Sequence, residues 1–303
     1  MNAAARILGS DFLYGFRRSP VAVISFLIVL ICALAALFAP WIAPHNPFDL
    51  ASLNLMDSLK PPAFLPDGDR TFLLGTDDQG RDMLSGMMYG ARISLFVGIL
   101  SVALALVVGI TAGLIAGYAG GAIDAVLMRV ADVQLTFPAI LIALLVDGVV
   151  RAVLPREFHE QAEIYVLIFA IGIALWPQFA RTVRGSTMVE RGRDYVMAAR
   201  VIGLSPARIM ASHILPNVLG PVLVLATLNL GIAIVTEATL SFLGVGLPPT
   251  QPSLGTLIRI GNDFLFSGEW WITIFPGIML GAMVLAINLL GDWLRDALNP
   301  RLR

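Results

Sequence analysis

The residue types that most often carry chemistry are few in this chain of 303 residues, and their spacing suits little of it. His45, His159 and His213 stand singly in separate loops, without the close His, Cys or Glu neighbours of a metal site. Lys60, in "MDSLK", lacks the Gly-x-x-x-x-Gly that would let backbone amides and an ammonium hold nucleotide phosphates, so the chain offers no P-loop. No serine sits in a Gly-x-Ser-x-Gly elbow, which leaves nucleophilic hydrolysis unsupported. Cys32 has no partner within the chain and reads as a small apolar filler.

Two stretches remain. Glu237 and Ser241, in "VTEATLSFLGVGLPP", are the candidates for a translocation path or gate. A carboxylate at the centre of an apolar span costs roughly 2.5–3.5 kcal/mol on insertion scales and usually faces a bundle interior or a wet cavity. Internal capping or pairing is the simpler reading of Glu237, and a place against solute the sharper one. The second stretch is "DYVMAARVIGLSPARIMASHILPN", Asp194 to Asn217, which sets small-residue helices, a Ser-Pro and several arginines between two very apolar segments.

What positions these residues is a set of membrane spans. Apolar residues make up 57% of the chain and charged ones 14%, against about 45–50% and 25% in soluble domains. Mean hydropathy is +0.83. A net charge of -1 excludes a strongly basic, nucleic-acid-binding chain. Apolar runs beginning near Val21, Ile93, Ile164, Ile214 and Trp270 are long enough to cross a hydrocarbon core of about 30 Å. A weaker sixth lies between Arg129 and Val150, where only fourteen apolar residues separate Asp132 from Asp147, so it is expected to start earlier and run tilted. Each must be helical, because lipid offers backbone amides no partner. The expected class is therefore an all-α polytopic membrane protein with six spans.

Arginines orient it. With the N-terminus inside, thirteen of the 20 basic residues face the cytoplasm, among them Arg6, Arg17, Arg18, Arg129, Arg181, Arg184, Arg200, Arg301 and Arg303, so both termini are expected there. The outer side keeps Arg156 and six others, diluted by acidic residues. Residues 1–43 hold the N-terminus and first span, whose apolar core of nineteen residues is longer than the h-region of a cleaved signal. Residues 44–91 form a Pro-, Asp- and Gly-rich outer connector with one short helix near Leu53 to Leu59. Residues 92–292 carry five spans with the basic loop 182–217, and 293–303 form a cytoplasmic tail. The segment "GVGLPPTQPSLG" is expected to re-enter or cover the outer mouth.

Gly109, Gly113, Gly117 and Gly121 recur four apart, laying bare backbone along one helix face against which another helix can seat. Gly277 and Gly281 form a second such strip.

The basic loop is too long for a connection. Tyr195 to Leu204 reads as a short helix with Ala199 and Gly203 on one face, both small enough to admit a partner's side chains. Ser205 is placed as an N-cap and Pro206 as the first residue of a second short helix, which Pro216 kinks or bounds. Two short helices lying parallel to the membrane make a docking surface. Arg200 is placed either to pair with a partner carboxylate or to act as a positive-inside anchor.

These residues resemble a known pattern. Ala198, Ala199, Gly203 and the "HILP" ending at Pro216 are similar to the coupling helix of bacterial ABC importer permeases, which inserts in a groove of the ATPase subunit. That family often has Glu where Met197 stands, so no charge contact is carried over there. "LGTDDQGRDMLSGMMYGARISL", "EATLSFLGVG" and "GDWLRDALNPRLR" resemble the C-type permease subunit of dipeptide, oligopeptide and nickel importers, over nearly the whole chain. Leu254 stands where that family commonly has Trp. The resemblance implies a type I ABC importer permease fold, with Tyr195, Met197, Ala198, Ala199, Arg200, Gly203 and Pro216 coupling to ATPases. It further implies a homologous second permease, two ATP-binding subunits that carry ATP and Mg, an extracytoplasmic substrate-binding protein, and a bacterial inner membrane as the site of action. No cofactor, metal or nucleic acid is expected on this chain, which is not itself an enzyme. Peptides are the expected cargo, since no His/Cys cluster or Met-rich entry suits a metal. A nickel or other small-solute importer is the alternative, and an ion-coupled carrier would need repeats and a carboxylate relay that Asp132, Asp147 and Glu237 do not form.

Overall fold

The computed structural model describes residues 10–47, 49, 53–153, 155, 159–247 and 251–298. Among these the chain is helical, the only extended pairing being a single bridge between Thr76 and Asp82. Arg6, Arg156, Arg301 and Arg303 of the charge count, and residues 248–250 of the outer-mouth loop, lie outside the described residues.

A short α1 (Ser10–Arg18) leads into α2 (Pro20–Leu37), the first span. Ser19 caps α2, its Oγ accepting from the Ala22 amide at 3.3 Å, and Pro20 takes the first turn, where a missing N–H costs nothing. Ala22, Ser25, Cys32 and Ala36 face inward while Ile24, Leu27, Ile31 and Leu34 are exposed, as lipid allows. Cys32 is buried in a cluster with Ala36, Ala91, Met283 and Ile287, in keeping with a filler role. A single turn, α3 (Ala39–Ile42), ends this part.

The outer connector is built rather than loose. Its expected helix is a single 3-10 turn, Leu55–Asp57. Lys60 lies 2.7 Å from Asp57 and 3.0 Å from Asp69. The Thr71 amide, and after it the Lys60 ammonium, draw the Asp69 carboxyl down to about 2. Asp77 and Arg81 form a buried ion pair at 2.6 Å, and the Trp271 indole donates to the Thr76 carbonyl at 3.0 Å, tying the connector onto the bundle.

Asp82 then caps α4 (Met83–Ala119), accepting from the Ser85 amide at 2.9 Å. Thirty-seven residues make a rod of about 55 Å, longer than the hydrocarbon core. After Gly120, at φ +69°, the weak sixth segment begins earlier than its apolar run, as expected, but it is not one tilted rod. It is two helices, α5 (Gly121–Leu135) and α6 (Ala139–Val153), bent by 95°. Pro138 at the break disfavours helical geometry at Phe137, which ends α5. The bend leaves a cleft of about 440 Å³ lined by Arg129, Val133, Gln134, Phe137, Ile142 and Ile173 among others.

Helix α7 (His159–Arg191) runs beside both halves of that broken span. Arg184 forks onto Asp124 of α5 at 2.5 and 2.7 Å, and Gln134 bonds both the Ile173 carbonyl and the Trp176 indole. On α6, Asp147 pairs with Arg151 at 2.8 Å, and Arg151 reaches Glu163 of α7 at 3.1 Å. Short helices α8 (Asp194–Val201) and α9 (Pro206–Ile209) follow, then α10 (Leu215–Phe242), α11 (Leu254–Asn262) and α12 (Trp271–Leu298). Five of these helices are long and apolar enough to span, six with the bent pair counted as one. The first described residues of the expected tail, from Trp293 to Leu298, continue α12.

Candidate functional site

The glycine strip on α4 seats α7 at backbone distance. A Cβ on Gly109 would stand 2.5 Å from that of Phe179, one on Gly113 2.6 Å from the Ala180 carbonyl, and one on Gly117 2.7 Å from the Thr187 Cβ. Only hydrogen fits at these three positions, so bare backbone brings α4 and α7 into direct contact. Gly121, expected in the same row, is not part of it: the chain turns at Gly120, and the space around Gly121 is open. Gly277 and Gly281 of α12 likewise meet nothing within 4 Å and seat no helix of this chain.

Glu237 is 0% exposed. The Ser94 hydroxyl of α4 donates to its Oε2 at 2.7 Å and the Ser241 hydroxyl to its Oε1 at 2.8 Å, while Ser253, buried nearby, caps α11 by accepting from the Thr256 amide. Ser94 Oγ also accepts from the Leu254 amide at 3.3 Å. Glu237 and Ser241 thus clasp α4, α10 and α11 together, both buried and paired internally. Sequence spacing marks Ser241, one helical turn on, but nothing local marks Ser94 or Ser253.

At the other end of α10 lies the expected docking segment. Helix α8 turns Val196 and Ala199 into the core and leaves Tyr195, Met197, Ala198 and Arg200 exposed. Ala199, 3% exposed, is therefore not on an open face with Gly203, contrary to the sequence reading. It packs with Val196, Ile209 and Ile214 in the same core cluster that holds Leu114 and Ala116 of α4, Val183 of α7 and Val218 of α10, so this loop is seated on the bundle. Gly203 closes the helix: at φ +80°, its amide bonds the Arg200 carbonyl at 3.0 Å and the next amide, of Leu204, bonds Ala199 at 3.1 Å. That is a Schellman end, which wants glycine for its left-handed backbone. A Cβ there would meet nothing within 4 Å.

The surface α8 offers is instead Val201 and Ile202, 87% and 73% exposed, with Met197 one turn before them. The signal for them was present: two branched apolar residues before a glycine in a basic loop, where solvation alone would favour polar ones. Three contacts fix the knob to the spans. The Tyr195 hydroxyl donates to Glu190 at the end of α7 and accepts from Asn217 Nδ2 at the start of α10, at 3.0 Å for the latter. Burial, and then the Glu190 carboxylate, push that phenol above its ordinary range. The Arg200 guanidinium lies 5.0 Å over the Tyr118 ring at the end of α4, a cation–π contact.

Ser205 and Pro206 begin a helix as expected, although the Ser205 side chain makes no cap bond. The second short helix is not a separate piece. Residues 210–214 form a π turn, closed by the Leu215 amide on the Met210 carbonyl, and helix continues from Pro206 to Phe242. Pro216 has no N–H for the Ser212 carbonyl, and the wider turn just before it absorbs the misfit, so it does not bound the helix.

The dipeptide transport system permease protein DppC of Escherichia coli K12 is 42% identical over 294 residues, 97% of this chain and 93% of its own. DppC of Haemophilus influenzae is 39% identical over 293 residues, 97% and 95%. The di/tripeptide permease DppC of Pseudomonas aeruginosa is 38% identical over 293 residues, 97% and 92%. Among solved structures, an inward-facing form of the MetNI methionine ABC transporter matches with TM-score 0.57 at 18% identity, over 72% of this chain and 98% of that one, which shows the type I ABC importer permease fold. Residues 8–62 match the N-terminal TM domain of oligopeptide transport permease C, and residues 109–303 the binding-protein-dependent transport system inner membrane component. The chain belongs to that family: it is an inner-membrane permease component of an ABC importer.

Proposed function

We propose that this chain carries dipeptides or oligopeptides across the bacterial inner membrane as one of two homologous permeases, driven by two ATP-binding subunits and fed by an extracytoplasmic binding protein. The observation that carries the cargo is the peptide-permease naming of relatives 38–42% identical over 97% of the chain. ATP and Mg belong to the partner subunits, and both termini and the loop 182–217 lie in the cytoplasm, where their arginines favour them.

In this reading α8 is the coupling helix. Val201 and Ile202 enter a groove on the ATPase, and Tyr195 and Arg200 hold α8 to α7, α10 and α4, so a displacement of the knob moves three spans. Nucleotide shifts the permease between inward- and outward-facing states by its differential affinity for the two. Met197 and Ala198 flank the contact; Ala199, Gly203 and Pro216 shape the segment that presents it.

Reconstitution with both ATPases, the second permease and the binding protein tests this. The expected result is ATP-dependent uptake of a radiolabelled dipeptide. Uptake of nickel in its place, or dipeptide uptake driven by an ion gradient without ATP, would refute the reading.

A further inference from the structure

Beyond α8, helix α5 exposes two flanks of opposite character. Val126, Val130, Val133 and Phe137 recur at i, i+4, i+7 and i+11, and all are exposed. One position earlier, with the same spacing, run Ala125, Arg129, Asp132 and Thr136. Successive residues differ by about 100° around a helix, so the rows form adjacent but separate stripes, one apolar and one polar. Arg181 of α7 reaches Asp132 at 2.7 Å, with the two side chains 55% and 45% exposed. Among the described residues Arg129, also exposed, forms no ion pair. On α7, the residues buried against the α4 glycines are Phe179, Ala180, Val183 and Thr187; Gln178, Arg181 and Gly185 lie on the opposite face.

An exposed guanidinium and an exposed ion pair are costly against hydrocarbon. Headgroups at the membrane surface, where the charge count placed Arg129 and Arg181, do not account for them. Ile123 and Val126, nearer the start of α5 than Arg129, are exposed and apolar, so the apolar surroundings on that flank extend past the height of Arg129. The polar flank therefore needs polar surroundings at a height where its neighbour does not, and Arg129 borders the cleft at the bend together with Val130, Val133 and Phe137.

We propose that this polar flank, Arg129, Asp132 and Thr136 with Gln178 and Arg181 of α7, lines the solute's route through the membrane, and that Arg129 receives an anionic group of the passing solute. A zwitterionic solute presents a carboxylate, which a free guanidinium can bind by two parallel hydrogen bonds, and an ammonium, for which Asp132 stands one turn away. The route stands on the geometry alone. The carboxylate as cargo group rests on the peptide reading above.

The chain's single cysteine makes the test direct. In a Cys32→Ser background, with the complete transporter in membranes, Ala125→Cys and Thr136→Cys are compared with Ile123→Cys and Val126→Cys, which lie outside the cleft at the bend, for reaction with a charged, membrane-impermeant methanethiosulfonate. The polar-flank thiols are expected to react at least about tenfold faster, because only a hydrated thiol ionises and meets the reagent. Equal or reversed rates would overturn the route. Saturating dipeptide with its binding protein is expected to slow labelling at Thr136→Cys. If the flank pattern holds and the dipeptide gives no protection, the route stands and the peptide reading falls. If the pattern fails while dipeptide uptake persists, the route falls and that reading stands. Separately, Arg129→Gln is expected to lower uptake about tenfold, with Arg129→Lys restoring most of it; wild-type uptake by Arg129→Gln would remove the anion role.

Discussion

Ser94 and Glu237 lie 143 positions apart in the chain and 2.7 Å apart in the fold. With Ser241 and the Leu254 amide they make a buried set of hydrogen bonds where α4, α10 and α11 meet. Glu237→Ala strands those hydroxyls in an apolar setting, and a loss of roughly 1–3 kcal/mol is expected. Glu237→Gln keeps an acceptor and should lose less. Thermal unfolding of the purified permease in detergent reads the difference; equal midpoints for Glu237→Ala and wild type would contradict the clasp.

The contact between α4 and α7 yields a paired prediction. Gly113→Val drives its side chain into the Ala180 carbonyl and Val183, and overpacking of this kind costs typically 1–3 kcal/mol, more where backbone must move. Gly281→Ala meets open space within the chain and should leave its folding unchanged. Size-exclusion profiles and yields of the two variants check the contrast.

For the exposed knob, Val201→Glu with Ile202→Glu removes apolar area that a partner would cover. Burying each side chain contributes about 1.5–3 kcal/mol, so affinity for the ATPases should fall at least about tenfold. Gly203→Ala acts differently: it has room but a strained φ, and costs the permease about 1 kcal/mol. Pull-down of the ATPases together with the permease's own melting point separates the two effects. Normal ATPase recovery with the double glutamate variant would move the coupling site elsewhere.

The Lys60–Asp69 contact predicts a pH profile. Asp69, held at about 2, contributes stability that is complete above the ordinary carboxylate pKa and lost as pH falls through the folded value. Lys60, raised by Asp57 and Asp69, contributes stability that is lost only as pH rises through its own folded value, above 10.5. This part of the connector should therefore be insensitive to pH from about 5 to 9. Lys60→Met should bring Asp69 part of the way back toward 3.8, because the Thr71 amide still holds it; carboxylate carbon shifts in a labelled sample measure this.

How far the sequence carries depends on whether a feature is local. Apolar runs from Val21, Ile93, Ile164, Ile214 and Trp270 announce five spans, since the length that crosses a membrane is written in consecutive residues. Asp132 and Asp147 shorten the sixth run, and the 95° break beside Pro138 became clear only in three dimensions. Gly109, Gly113 and Gly117 declared a close helix partner but not that it is α7. Ala199 and Gly203, four apart, suggested a shared open face. Which side of α8 is covered is decided by Val196, Ile209 and Ile214, and a four-residue spacing carries no information about that. Ser94 is the extreme case, because hydroxyls scattered through spans look alike until a carboxylate arrives from the far end of the chain.

The unbroken run of helix from Pro206 to Phe242 gives the molecule a lever without slack. Between Pro206 and Glu237 it measures about 47 Å along its axis, so tilting the Pro206 end by about 10° about a fixed Glu237 end sweeps it through about 8 Å. Inserting a flexible joint at the π turn would let the knob swing freely while the clasp around Glu237 stayed still, and fuel would be burned without moving cargo.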